Sequence, residues 1–206
     1  MKLHHFIAAA AFVASQAFAA PGFVVDFEKT WDFGNGSVDG YYGGGTAADG
    51  TSGPNVGVTF SGVSGLSNDA LGPYYANAPT PQGVMYVYDV AAVMNVAAGV
   101  DNLSFWFSSL VAVPDAIQAW SGLNGTGMLL GSRDLAANNT TFNDTWTQEI
   151  FSFGGTAHSF NFGGSALAPA AFDNIASVPE PATCTMVLAG LGLLGLMGRR
   201  RKHGPA

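Results

Sequence analysis

The chain has a single cysteine, Cys184, among 206 residues. Nothing upstream of it can be held by a disulfide, so the body must be stable through its core alone. Basic residues are almost as scarce. From Ala20 to Val178 only Lys29 and Arg133 are cationic, against eleven Asp plus Glu28 and Glu149, a formal net charge of −11. Such a surface repels phosphate backbones and excludes nucleic acid as a partner. Histidine is reduced to His158 in the same stretch, and no H-E-x-x-H, G-x-S-x-G or P-loop pattern occurs. Thirteen acids do not select a pair for glycoside cleavage by spacing. His158, next to a "SFNF" run, reads as an exposed strand residue. A secreted hydrolase therefore survives only as a second alternative. Charged residues make up 10% of the chain, and Gly, Asn, Ser and Thr carry the polarity instead. Helical periodicity is missing between the two ends, which points to strands and loops.

The ends are different. Met1 to His5 is weakly basic, Phe6 to Val13 is apolar, and Ala17-Phe18-Ala19 places small residues where a signal peptidase reads. This order predicts a secretory signal over residues 1–19, cleaved after Ala19, with signal peptidase and the export machinery as partners. A buried N-terminal helix is the alternative.

At the other end, Thr183 to Gly198 carries no charge. As a helix it would be about 24 Å long, slightly short of a bilayer core of about 30 Å. Gly190, Gly192, Gly195 and Gly198 weaken it further. Arg199, Arg200, Arg201 and Lys202 follow as a stop, which places them in the cytoplasm and the body outside. Pro179 and Pro181 flank Glu180 and hold the chain extended before the span, in a form that a processing enzyme can grip.

The run "VPEPAT", "LAGLGLLGLMG", "RRRK" resembles the PEP-CTERM sorting signal of Gram-negative bacteria, a tail also catalogued as an "ice-binding protein C-terminal domain". That label does not imply antifreeze activity, and the scattered threonines form no ice-matching lattice. The resemblance implies a substrate of exosortase, transiently anchored in the inner membrane. It also implies later display or release at the cell surface, together with exopolysaccharide or biofilm. A plain C-terminal anchor is the alternative.

Between the ends, apolar residues alternate with polar ones in short runs: "GFVVDFE", "NVGVTFSG", "GVMYVYDV", "NLSFWFSS", "DAIQAWSG", "GMLLGS", "TWTQEIFSF", "AHSFNFGG" and "AFDNIAS". Leu103, Phe105 and Phe107 share a face, with Trp106 on the other. Asn35-Gly36, Asn124-Gly125 and Gly154-Gly155 read as tight connections. Tyr41 to Pro54 reads as a long flexible loop. The expected fold is all-β, an antiparallel β-sandwich over residues 20–177. A signal helix and a single transmembrane helix over 183–198 are expected to flank it, the second within a sorting segment over 178–202.

The order of pieces from "DFE" through "GVTFSG" to "FDNI" resembles small jelly-roll domains of PEP-CTERM proteins. It is also similar to MAM and carbohydrate-binding-module sandwiches, whose first and last strands are neighbours. In those sandwiches an acidic pair on the first strand and an Asp on the last hold structural calcium. Asp26, Glu28 and Asp173 match that pattern; charges that discourage edge pairing are the alternative. Exposed aromatics can also stack on sugar faces. Tyr41, Tyr42, Tyr74 and Tyr75, in Gly- and Pro-rich settings, and Trp106 are the candidate platform of a carbohydrate-binding module, while Trp120 and Trp146 are expected in the core.

Overall fold

The computed structural model describes residues 22–177 apart from 167 and 169. The signal segment with Ala17 and Ala19, the Pro-Glu-Pro motif, the 183–198 span and the basic stop lie outside the described residues. No helix among the described residues is long and apolar enough to cross a membrane.

The body is all-β and antiparallel. Nine strands follow one another among the described residues: β1 (Val24–Val25), β2 (Val58–Ser61), β3 (Val63–Leu66), β4 (Val84–Val87), β5 (Val93–Ser109), β6 (Val113–Trp120), β7 (Leu129–Leu135), β8 (Thr147–Asn161) and β9 (Ala170–Ala176). Two of them organise the rest. The first part of β5 pairs with β2 (Phe60↔Met94) and with the last part of β8 (Met94↔Phe160). Its last part pairs with β9 (Phe107↔Phe172) and with the first part of β8 (Leu103↔Phe151). One layer is therefore β2, β5, β8, β6 and β7, and the other is β3, β4, β9, β5 and β8. β1 adds to β9 through Val24↔Ala176 and Val25↔Ile175, so the first and last strands are neighbours.

The long strands turn from one layer to the other where their register shifts, between Asn95 and Asn102. Gly99 (φ 72°) and Gly155 (φ 108°) sit at this corner, in conformations that cost a side-chain-bearing residue dearly. Gly154-Gly155 is thus not the tight connection expected. It is a bend inside β8, which joins two runs read as separate strands. Asn124 (φ 57°) and Gly125 (φ 66°) do make the expected turn, between β6 and β7.

The inward faces meet in one core. Met94, Phe160 and Ile117 from the first layer and Phe105, Phe172 and Ile175 from the second belong to a single cluster of buried residues. Ring contacts such as Phe162–Phe172 (5.3 Å, 79°) and Phe105–Phe172 (6.0 Å, 59°) tie it together. Each such side chain contributes about 1.5–3 kcal/mol by leaving water, which is how a body without disulfides holds. Leu103, Phe105 and Phe107 are buried as their alternation requires.

The segment from Tyr41 to Pro54 departs from the flexible loop expected. Gly45 N–H donates to Gly40 O (3.0 Å), Ala47 N–H to Thr51 O (2.9 Å) and Gly53 N–H to Gly45 O (3.1 Å). Lys29 also pairs with Asp49. The glycines supply the φ > 0 turns that let a short lobe bond to itself, at Gly44 (φ 78°) and Gly50 (φ 81°).

Candidate functional site

The expected acidic site was the pair Asp26 and Glu28 with Asp173. β1 ends at Val25, and Phe27 is left-handed (φ 54°), so residues 26–28 leave the strand before its period can align the two acids. Each carboxylate is then bonded within the protein. Asp26 Oδ1 accepts from Glu28 N–H (3.2 Å) and Glu28 Oε1 from Gln82 N–H (2.8 Å). Asp173, on β9 and fully buried, accepts from Thr80 N–H (2.8 Å) and Asn174 N–H (2.7 Å). No three acid, His or Cys side chains among the described residues are grouped to hold a metal ion. The three carboxyls are thus not gathered as one cluster, and at least one oxygen of each accepts from a backbone N–H.

What they build is a proton-sharing junction. Thr80 Oγ1 lies 2.7 Å from Asp26 O and 2.8 Å from both carboxyl oxygens of Asp173. One hydroxyl proton cannot serve both neighbours, and Asp26 O only accepts. A protonated Asp173 resolves this by donating to Thr80 while Thr80 donates to Asp26 O. Burial pushes the Asp173 carboxyl up to about 6, against the pull of the Thr80 and Asn174 donors, and the Glu28 charge adds to the rise. Burial, with Asp173 and Glu28 beside it, likewise pushes Tyr75 up to about 12.

The expected sugar platform divides. Tyr42 and Tyr75 are each only 3% exposed. Tyr42 stands edge-on to Phe27 and Tyr75 to Trp146, so both fill space that this disulfide-free body needs. Tyr41 is half-buried between Trp31 (5.5 Å) and Tyr42 (5.0 Å). Trp106 is half-buried on β5. Tyr74 and the buried Tyr75 both line a cleft, where the Tyr74 ring stacks on Phe33 at 5.5 Å and 15°. Among the tryptophans the core takes Trp31, at 2% exposure, while Trp120 and Trp146 are only partly buried. Phe33 was not singled out in the sequence. Its position in "WDFGNG", an aromatic entering a turn, was the available signal.

Two clefts are notable. One, of about 210 Å³, is lined by Phe33, Leu66, Tyr74, Val84, Tyr86 and Asn143 among others. A wider one, of about 590 Å³, runs along Phe23, Val24, Val56 and Val100. Neither is lined by Asp, Glu or His. His158 is half-buried on β8, less exposed than expected, and makes no hydrogen bond or ion pair among the described residues.

No cleft in the body carries a recognisable site; the match to known proteins lies in the tail. Residues 177–202 match the family model of the PEP-CTERM protein-sorting motif. The PEP-CTERM tail implies export to the cell surface by way of a membrane-anchored intermediate, with processing by exosortase. The match covers the Pro-Glu-Pro residues, the uncharged stretch and the basic stop together. No curated protein matches the chain.

Proposed function

We propose that this is a non-catalytic protein of the bacterial surface or extracellular matrix, delivered by its PEP-CTERM tail and associated with exopolysaccharide. The signal segment starts export, and the 183–198 span holds the chain in the inner membrane with Arg199 to Lys202 in the cytoplasm. Exosortase then cuts near Pro179-Glu180-Pro181 and the β-body is displayed or released. The observation that carries this reading is the family match at residues 177–202, whose parts stand in the order such processing needs. The non-catalytic part is supported by clefts that lack acid and histidine, and by carboxylates already committed to backbone donors.

The test is expression in the native host. The unaltered chain is expected to appear as a shortened surface form. Glu180→Ala, or deletion of exosortase, is expected to leave full-length protein in the membrane. Equal shortening with and without exosortase refutes the sorting reading. A second reading, a carbohydrate-binding module using the same route, is favoured by one observation, the Phe33–Tyr74 stack at an open cleft.

A further inference from the structure

Phe33 is 53% exposed although it is aromatic. Its near-parallel stack on Tyr74, with centroids 5.5 Å apart, is offset, so the rings lie in two roughly parallel planes that cover each other only in part and leave ring surface open on Phe33. That surface borders the cleft of about 210 Å³, whose other walls include Leu66 of β3, Val84 and Tyr86 of β4, and Asn143. The volume lies below the roughly 300–1,000 Å³ of pockets for drug-sized ligands, so it suits a single ring and not an extended cofactor.

Polar capacity is left over at the same place. Asn143 Oδ1 accepts from Ser108 Oγ (3.1 Å), but its amide nitrogen has no partner among the described residues. The Tyr86 hydroxyl also has none among them. The Tyr74 hydroxyl donates to Asp69 Oδ1 at 3.3 Å. A flat apolar wall with hydroxyl and amide groups beside it matches a pyranose ring, which has an apolar C–H face and a rim of hydroxyls. An acyl chain would leave those polar groups unmet.

Charge decides which sugar. No Lys or Arg lines the cleft, the carboxylate bonded to Tyr74 is Asp69, and the body from Ala20 to Val178 carries −11. A uronate or sulfated unit would meet repulsion with no compensating cation. We propose that the Phe33–Tyr74 cleft binds one uncharged hexopyranose unit of a polysaccharide. Its C–H face lies on the aromatic pair, and its hydroxyls bond Tyr86 and Asn143. This deepens the carbohydrate-binding reading and rests on it, but it is independent of how the tail is processed.

The full chain, purified in a polyoxyethylene detergent that has no sugar headgroup, is titrated calorimetrically with the hexaoses of β-1,4-glucose, β-1,4-mannose and β-1,4-galactose, and with galacturonate hexaose. At least one neutral hexaose is expected to bind, and galacturonate more weakly than galactose. Phe33→Ala and Tyr74→Ala are expected to weaken binding by about tenfold, the loss of one stacking contact. Leu71→Ala, 84% exposed and outside the lining, stays within about threefold. Thermal unfolding confirms that each variant is folded. The proposal is overturned if no neutral hexaose binds, if galacturonate binds best, or if folded Phe33→Ala binds like the parent. It is also overturned if Phe33→Ala acts only by dissolving a dimer, which would make the cleft a contact between copies. All these readouts use unprocessed chain, so a failed sorting experiment leaves them intact.

Discussion

At the scale of single residues, Asp173 and Asp49 show how similar side chains acquire opposite pH behaviour. Asp173 is fully buried and its carboxyl is pushed up to about 6. Its folded value exceeds its unfolded one, so the fold binds the proton more tightly. Its contribution to stability is therefore fully present below about pH 4 and is lost as pH rises through about 6, on the order of 2–3 kcal/mol. Asp173→Asn removes the titrating group at the cost of a pH-independent loss, because its amide nitrogen must replace one of the two oxygens that accept from Thr80 N–H and Asn174 N–H. The variant is expected to remove most of the fall in urea-unfolding free energy between pH 4 and 7; an unchanged slope would rule out Asp173 as its source. At Asp49 burial alone would raise the carboxyl, but hydrogen bonds from Lys29 and Thr51 prevail and hold it at about 2. Its contribution has the other sign, present above about pH 4 and lost as pH falls toward 2. The two effects occupy separate windows, so one pH series resolves them. The Asp49 effect is the smaller, because its partners are near the surface and screened by water.

At the scale of elements, the corner in β5 and β8 is the most exacting feature. A Cβ at Gly99 would lie 2.6 Å from Thr156 Cγ2 and 2.9 Å from His158 Cε1, with a φ of 72° besides. Gly99→Ala is expected to cost about 1–3 kcal/mol in chemical denaturation, from backbone strain and a steric clash together. Gly154→Ala, two residues before Thr156 on β8 and with only Leu130 O near it at 3.9 Å, should cost distinctly less. Equal costs would mean that the corner does not depend on its left-handed glycine. The same element scale shows where sequence patterning failed. The two glycine pairs, "FGGTA" and "FGGSA", look alike in the chain. Gly154-Gly155 bends a strand that continues, whereas Gly163-Gly164 opens a single 3-10 turn that ends it. Local sequence does not distinguish them, because the difference lies in whether β5 and β6 are present to continue the ladder. Leu103, Phe105 and Phe107 were legible because strict alternation leaves only one way to bury them.

At the scale of the whole molecule, no cysteine falls in the body, so its stability rests on its buried clusters, a large one and a smaller one around Tyr75, Val84 and Ala171. Dithiothreitol and EDTA are each expected to leave the thermal midpoint of the purified protein within about 2 °C. A larger rise on adding millimolar calcium would return Asp26, Glu28 and Asp173 to a metal-binding role and refute the junction described here. The acidic surface, −11 over Ala20 to Val178, repels immobilised polyanion, and no retention is expected at 50 mM ionic strength.

The sequence alone carries the sorting motif: the order of charge and apolarity over residues 177–202 is a linear pattern that the family model matches. It also determined the fold class, because period-two alternation has no other compact solution. Only the tertiary structure decided which aromatics are core and which reach a cleft, and whether three acids gather as one cluster. Those outcomes depend on residues far apart in the chain, such as Thr80 with Asp173 and Phe33 with Tyr74, which become neighbours only when the layers close.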